Sequence, residues 1–147
     1  MQFKNLFLRK KVVRRKQAKS KKTVKLEWET DLFLQNQMSK LVGLLEFSHV
    51  DPSRVFCYRT HGSSARAYAR IWAFPKIFQE VLSVKPAYVI EVLSEKFDKL
   101  DNEQKVKVMI HELLHIPKNF SGSLLPHSYG NKQIHKEVER LYRNLKT

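Results

Sequence analysis

The chain has 147 residues, 28 Lys and Arg against 14 Asp and Glu, and one cysteine. That length suits one domain with one core, and the lone Cys57 excludes an internal disulfide or a cysteine-rich zinc ribbon. No apolar run approaches the roughly 18 residues of a membrane-spanning helix, so none is expected.

Charge is concentrated at the start. Residues 1–25 hold 11 Lys/Arg and no acid, which leaves 17 basic against 14 acidic residues, or +3, for the remainder. Residues 1–26 therefore read as a basic arm and residues 27–147 as a nearly neutral folded domain. Blocks of like charge repel one another, and such arms serve nucleic acid, ribosomes or, less often, anionic membranes. No aromatic residue lies between Phe7 and Trp28, so the arm itself offers few rings for base stacking. Phe3, Leu6, Phe7 and Leu8 are too few for the apolar segment of a secretory signal. With the single cysteine, this points to the cytoplasm.

Further along, Thr30 or Asp31 can cap a helix running to about Phe47, with Leu34, Met38, Leu41 and Leu45 on its core face. Val50-Asp51-Pro52-Ser53 reads as a turn, Val55 to Thr60 as a strand and His61-Gly62-Ser63-Ser64 as a loop. Cys57 sits in the apolar run Val55-Phe56-Cys57-Tyr58 and reads as a packed strand residue. His49 and His61 read as turn residues.

Ala65 to Trp72 alternates strictly. Alanines and Ile71 face one way, and Arg66, Tyr68, Arg70 and Trp72 the other, which predicts a strand. Pro75 to Leu82 reads as a short helix started by proline. Ala87 to Leu93 is β-branched and aromatic, and reads as a strand. Phe97 to Leu100 links it to a helix over about 102–116, capped by Asp101 with Gln104 in the capping-box position and stopped by Pro117. A Gly-, Ser- and Pro-rich loop follows to Gly130. A last helix over about 131–145 presents Ile134, Val138, Leu141 and Leu145 to the core.

The helix at 102–116 carries His111-Glu112-Leu113-Leu114-His115, a His-Glu-x-x-His motif. Residues i and i+4 share a helix face, so His111 and His115 can converge on one metal ion. Glu112 projects elsewhere, where it can take a proton from a water on that metal. Zinc peptidases divide the work this way. Core-side residues Val106, Met109, Ile110, Leu113, Leu114 and Ile116 bury the helix, and buried His and Glu are expensive unless paired or metal-bound.

A catalytic zinc site takes three protein ligands and leaves one open position. His127, His135 and Glu137 are the candidates for the third. His127 is preferred, because Pro126 stiffens its approach while Gly122 and Gly130 let the chain reverse. Tyr129, Arg66 and Arg70 are candidate donors for an oxyanion or for a substrate carboxylate.

These stretches resemble the minimal zincin metallopeptidases, closest to a phage and archaeal His-Glu-x-x-His metallopeptidase family and more distantly SprT-like proteases. The matching runs are Arg66 to Trp72, Tyr88 to Ser94, Ile110 to Pro117, and Phe120 to His127. The resemblance spans about residues 30–145. It implies a small α+β zincin-like domain, with a short, mostly antiparallel sheet against an N-terminal helix, the motif helix and a C-terminal helix. It further implies that His111, His115 and His127 hold Zn2+, that Glu112 is catalytic, and that a sheet edge holds an extended peptide or protein substrate. Two other readings compete. One is a zinc-dependent RNA-processing hydrolase, whose pattern resembles His-Gly-x-x-His with the third His close behind. Here Glu112 and the distant His127 both depart from it. The other is a nucleic-acid-binding protein with a structural metal site, against which an intact Glu112 argues.

Overall fold

In a computed structural model, the structure describes residues 24–129 and 132–147, apart from the side chains of Tyr129 and Lys132. The expected basic arm falls outside the described residues up to Thr23, as does Gly130.

Four strands form one sheet: β1 (Glu27–Thr30), β2 (Val55–His61), β3 (Ala69–Trp72) and β4 (Tyr88–Leu93), in the order β1-β2-β4-β3. The β1–β2 and β3–β4 pairs are antiparallel and the central β2–β4 pair is parallel, so the sheet is mixed with antiparallel pairing in the majority. The helices are α1 (Leu32–Leu44), α2 (Lys76–Leu82), α3 (Ser94–Phe97), α4 (Asn102–Leu114) and α5 (Ile134–Leu145). A two-stranded ribbon, β5 (Ser128–Tyr129) with β6 (Lys132–Gln133), joins the loop after α4 to α5. The α+β zincin-like architecture expected from sequence is the one observed.

Side-chain alternation sorts the sheet into two unlike faces. Val55, Cys57, Tyr88, Ile90, Val92 and Ala69 point inward, where they pack with Leu34, Met38 and Leu41 of α1 and Met109 and Leu113 of α4. The α5 residues Ile134, Val138 and Leu141 close a second cluster over Ile110 of α4. The opposite face carries Trp28, Phe56, Tyr58, Glu91, Arg70 and Trp72 and leaves several of them exposed.

Several boundaries differ from those expected. Residues 65–68 are not strand, and the strand read over 65–72 is only Ala69–Trp72. In α1, Asp31 accepts a hydrogen bond from Leu34 N–H as the N-cap, but the helix stops at Leu44 rather than near Phe47. Its end is a Schellman motif, with Phe47 N–H bonded to Val42 O at 3.0 Å and Glu46 N–H to Gly43 O at 3.1 Å. Glu46 takes the left-handed position at φ 55°, a place usually held by glycine. Strand β1 and the single turn of α3 were not anticipated. The last helix begins at Ile134 because Lys132 and Gln133 belong to the ribbon.

Candidate metal centre

The motif helix α4 is fixed at its start by a full capping box: Asp101 accepts from Gln104 N–H, and the Gln104 side chain accepts from Asp101 N–H. Ile110 and Leu113 are completely buried, which locks the helix rotation. Rotation fixed in this way sends His111 and His115 into a cleft of about 970 Å³. Glu112 turns toward β3, where it accepts a hydrogen bond from the backbone N–H of Ile71.

His127 arrives through a loop tied down at several points. Gly122 sits at φ 89°, and a side chain there would collide with the Gln79 amide and the Phe74 carbonyl. Gly122 N–H donates to the Tyr88 hydroxyl at 2.8 Å, and that hydroxyl donates to Ser123 O at 2.9 Å. The Gln79 amide donates to Phe74 O at 2.7 Å and to Ser121 O at 2.8 Å. Farther on, Leu125 N–H donates to His115 O at 2.8 Å, and Ile134 N–H closes the ribbon onto His127 O at 3.2 Å.

The three imidazoles converge. A ligand nitrogen from each of His111, His115 and His127 lies within 4.8 Å of the others. His111 Nε2 and His115 Nε2 are 3.3 Å apart. Two nitrogens each about 2.0–2.1 Å from a tetrahedral ion would stand about 3.3–3.4 Å apart, so this pair has the spacing of co-ligands. His115 Nδ1 lies 2.6 Å from Leu125 O, so Nδ1–H donates there and the Nε2 lone pair is left for the cleft. Burial, then the charges of His115, His127 and His135, push His111 down to about 4. Burial and then His127 also lower His115, against the opposing pull of the Leu125 hydrogen bond. Both rings are thus neutral near pH 7, the form that binds metals. The donor set fits a borderline-soft divalent ion with an open coordination position.

Glu112 is only 7 % exposed. Burial raises its carboxyl to about 7, and the Ile71 N–H offsets that in part. A carboxyl poised near neutrality can both accept and return a proton.

The other candidates are placed as follows. His135 lines the cleft but is outside the converged trio. Glu137 is paired with Arg140 at 2.6 Å. Arg66 is exposed and is not part of the cleft wall. Arg70 borders the cleft, but as part of β3 its guanidinium turns to the opposite sheet face, where Nε lies 3.4 Å from Glu91. Neither arginine is therefore placed as a free oxyanion donor. The side chain of Tyr129 lies outside the described residues. Two contributors had no sequence signal, because Ile71 and Leu125 act through backbone groups that any residue could supply.

No curated protein and no solved structure matches the chain. A family model described as putative phage metallopeptidase does match it, over residues 26–146, which includes α4, the tied-down loop and His127. The chain belongs to that putative phage metallopeptidase family.

Proposed function

We propose that this protein is a zinc metallopeptidase that hydrolyses peptide bonds, with His111, His115 and His127 as ligands and Glu112 as general base. The observation that carries this reading is the shared cleft. Three converging imidazoles, a buried carboxyl and an outer strand edge border the same space.

Bound zinc would act as a Lewis acid toward the scissile carbonyl and the attacking water. Glu112 takes the proton of that water and then delivers it to the leaving amine nitrogen. Its carboxyl near pH 7 makes both transfers accessible at one pH.

Strand β3 supplies the substrate's seat. Ile71 N–H turns away from β4 to reach Glu112, while Tyr68 O accepts from Leu93 N–H on the β4 side. Antiparallel pairing alternates these directions, so the backbone groups of Ala69 and the carbonyl of Ile71 point into the cleft. An extended peptide can add there as a further strand, with its scissile bond carried past Glu112. This edge belongs to a strand of four residues, so the seat is short and side-chain pockets must supply selectivity.

The test is incubation of the zinc-loaded protein with casein and, separately, with ribosomal RNA, each beside Glu112→Gln. Casein cleavage that disappears in Glu112→Gln is expected. RNA cleavage lost with Glu112→Gln, and no casein cleavage, would replace this reading with the RNA-processing one.

A further inference from the structure

We propose that the open face of the four-stranded sheet is a stacking platform for single-stranded nucleic acid. This inference stands apart from the peptidase reading, because it uses none of the metal-site residues.

The solvent side of an antiparallel sheet is ordinarily polar. Here Trp28 is 60 % exposed, Trp72 51 % and Phe56 46 %, all on one face. Trp28 and Trp72 are both of the chain's tryptophans. The register places Phe56, Val89 and Trp72 in one row across β2, β4 and β3. With strands about 4.8 Å apart, the two rings of that row are separated by roughly 10 Å. Two clefts, of about 740 and 480 Å³, meet at Phe56, Val89 and Trp72 and form one trough over the face.

The rings are held in place from beneath. Glu91, only 3 % exposed, sits in the middle of the face. Trp72 Nε1 donates to it at 2.6 Å, Trp28 Nε1 at 3.3 Å and Thr60 Oγ1 at 2.5 Å. Arg70, paired to the same carboxylate, lies 5.5 Å from the centroid of the Trp72 ring. One buried carboxylate thus fixes two exposed indoles by their N–H edges and leaves ring surface to solvent. Rings ordered before binding lose little freedom when a base stacks on them.

Charge selects the occupant. Arg54 and Lys85 line the second cleft, while in the first the charge of Arg70 is balanced by Glu91. The chain also enters at this face: Leu26 lines the same cleft as Trp28, and residues 1–23, immediately before it, hold 10 Lys/Arg and no acid. A cationic track beside sequence-tolerant stacking rings is the combination that binds single strands, the rings taking bases and the cations phosphates. The basic arm lacks rings near the domain, and the sheet face supplies them.

The experiment uses the full chain and a labelled oligo(dT) of about 12 nucleotides, within the span of one such binding surface. An abasic strand of the same length, with the same phosphates and no bases, is the comparison. Affinity is read by anisotropy and stacking by quenching of intrinsic tryptophan fluorescence, which reports only this face. Oligo(dT) should quench and should bind roughly tenfold or more tighter than the abasic strand. Trp28→Ala and Trp72→Ala should each weaken oligo(dT) binding roughly five- to a hundredfold and leave abasic binding unchanged. The wild-type comparison of the two strands needs no substitution, so a variant that misfolds does not remove the test. Equal binding of both strands without quenching would overturn the proposal. So would a concentration-dependent dimer, lost in Trp72→Ala, that oligo(dT) fails to dissociate, since that assigns the face to a second copy.

Discussion

Replacing Glu112 by glutamine in the metal-free protein should stabilise it, and by an amount that depends on pH. Burial raises the Glu112 carboxyl from 4.5 to about 7 in the folded state. Below pH 4.5 the group is neutral whether the chain is folded or unfolded, so it exacts no penalty. As pH rises from 4.5 to 7 the unfolded chain ionises while the folded one stays protonated, and stability falls. Above 7 the full penalty is present, about 3 kcal/mol at 1.36 kcal/mol per pH unit. Glutamine never ionises and keeps an oxygen for the Ile71 N–H. Urea denaturation in chelator should therefore show Glu112→Gln ahead of the parent by under about 1 kcal/mol at pH 5 and by about 3 kcal/mol at pH 8. The histidines titrate in both proteins, so their contribution cancels in the difference. Saturation with zinc should shrink the gap at pH 8, because a nearby cation favours the carboxylate. A difference that is the same at pH 5 and pH 8 would mean that Glu112 is solvated, and the argument for its poised proton would fail.

Three further outcomes are expected. Gly122→Ala should destabilise the fold by more than about 1 kcal/mol, since it meets both a left-handed backbone and a filled space. It should weaken zinc affinity as well, as measured by competition with a chromogenic chelator, because His127 depends on that loop; unaltered affinity would uncouple the two. Asp101→Ala should lower stability by about 1 kcal/mol through loss of the α4 cap, with zinc stoichiometry unchanged. Thermal unfolding and metal analysis of the same sample check both halves. Glu112→Gln should retain zinc while casein hydrolysis falls by at least about a hundredfold, the scale of a lost general base; loss of metal instead would make Glu112 a ligand.

The motif helix was the most legible part of the chain because its signals agree. A capping box, a 3.6-residue apolar stripe and a terminating proline all place the same boundaries, and the metal-ligand spacing follows from helix geometry. The stretch to His127 was legible for a different reason: Gly122 marks a place where only a bare backbone fits. The end of α1 was not readable, since the left-handed position is filled by Glu46, while Gly43 lies inside the helix. Nor was β1, four exposed residues whose strand state comes from pairing with β2. Arg70 shows the deeper limit. Its alternation on β3 was read correctly, but its partner Glu91 lies on another strand, and sequence spacing says nothing about strand order. The same holds for the convergence of Trp28 and Trp72 on Glu91, which three separate strands must assemble.

The most direct test of the central claim is an anomalous-scattering map from crystals grown with zinc. One peak per chain is predicted, about 2.0–2.1 Å from a ring nitrogen of each of His111, His115 and His127. A zinc ion held elsewhere, or these three rings turned apart around water in a fully loaded crystal, would contradict the account.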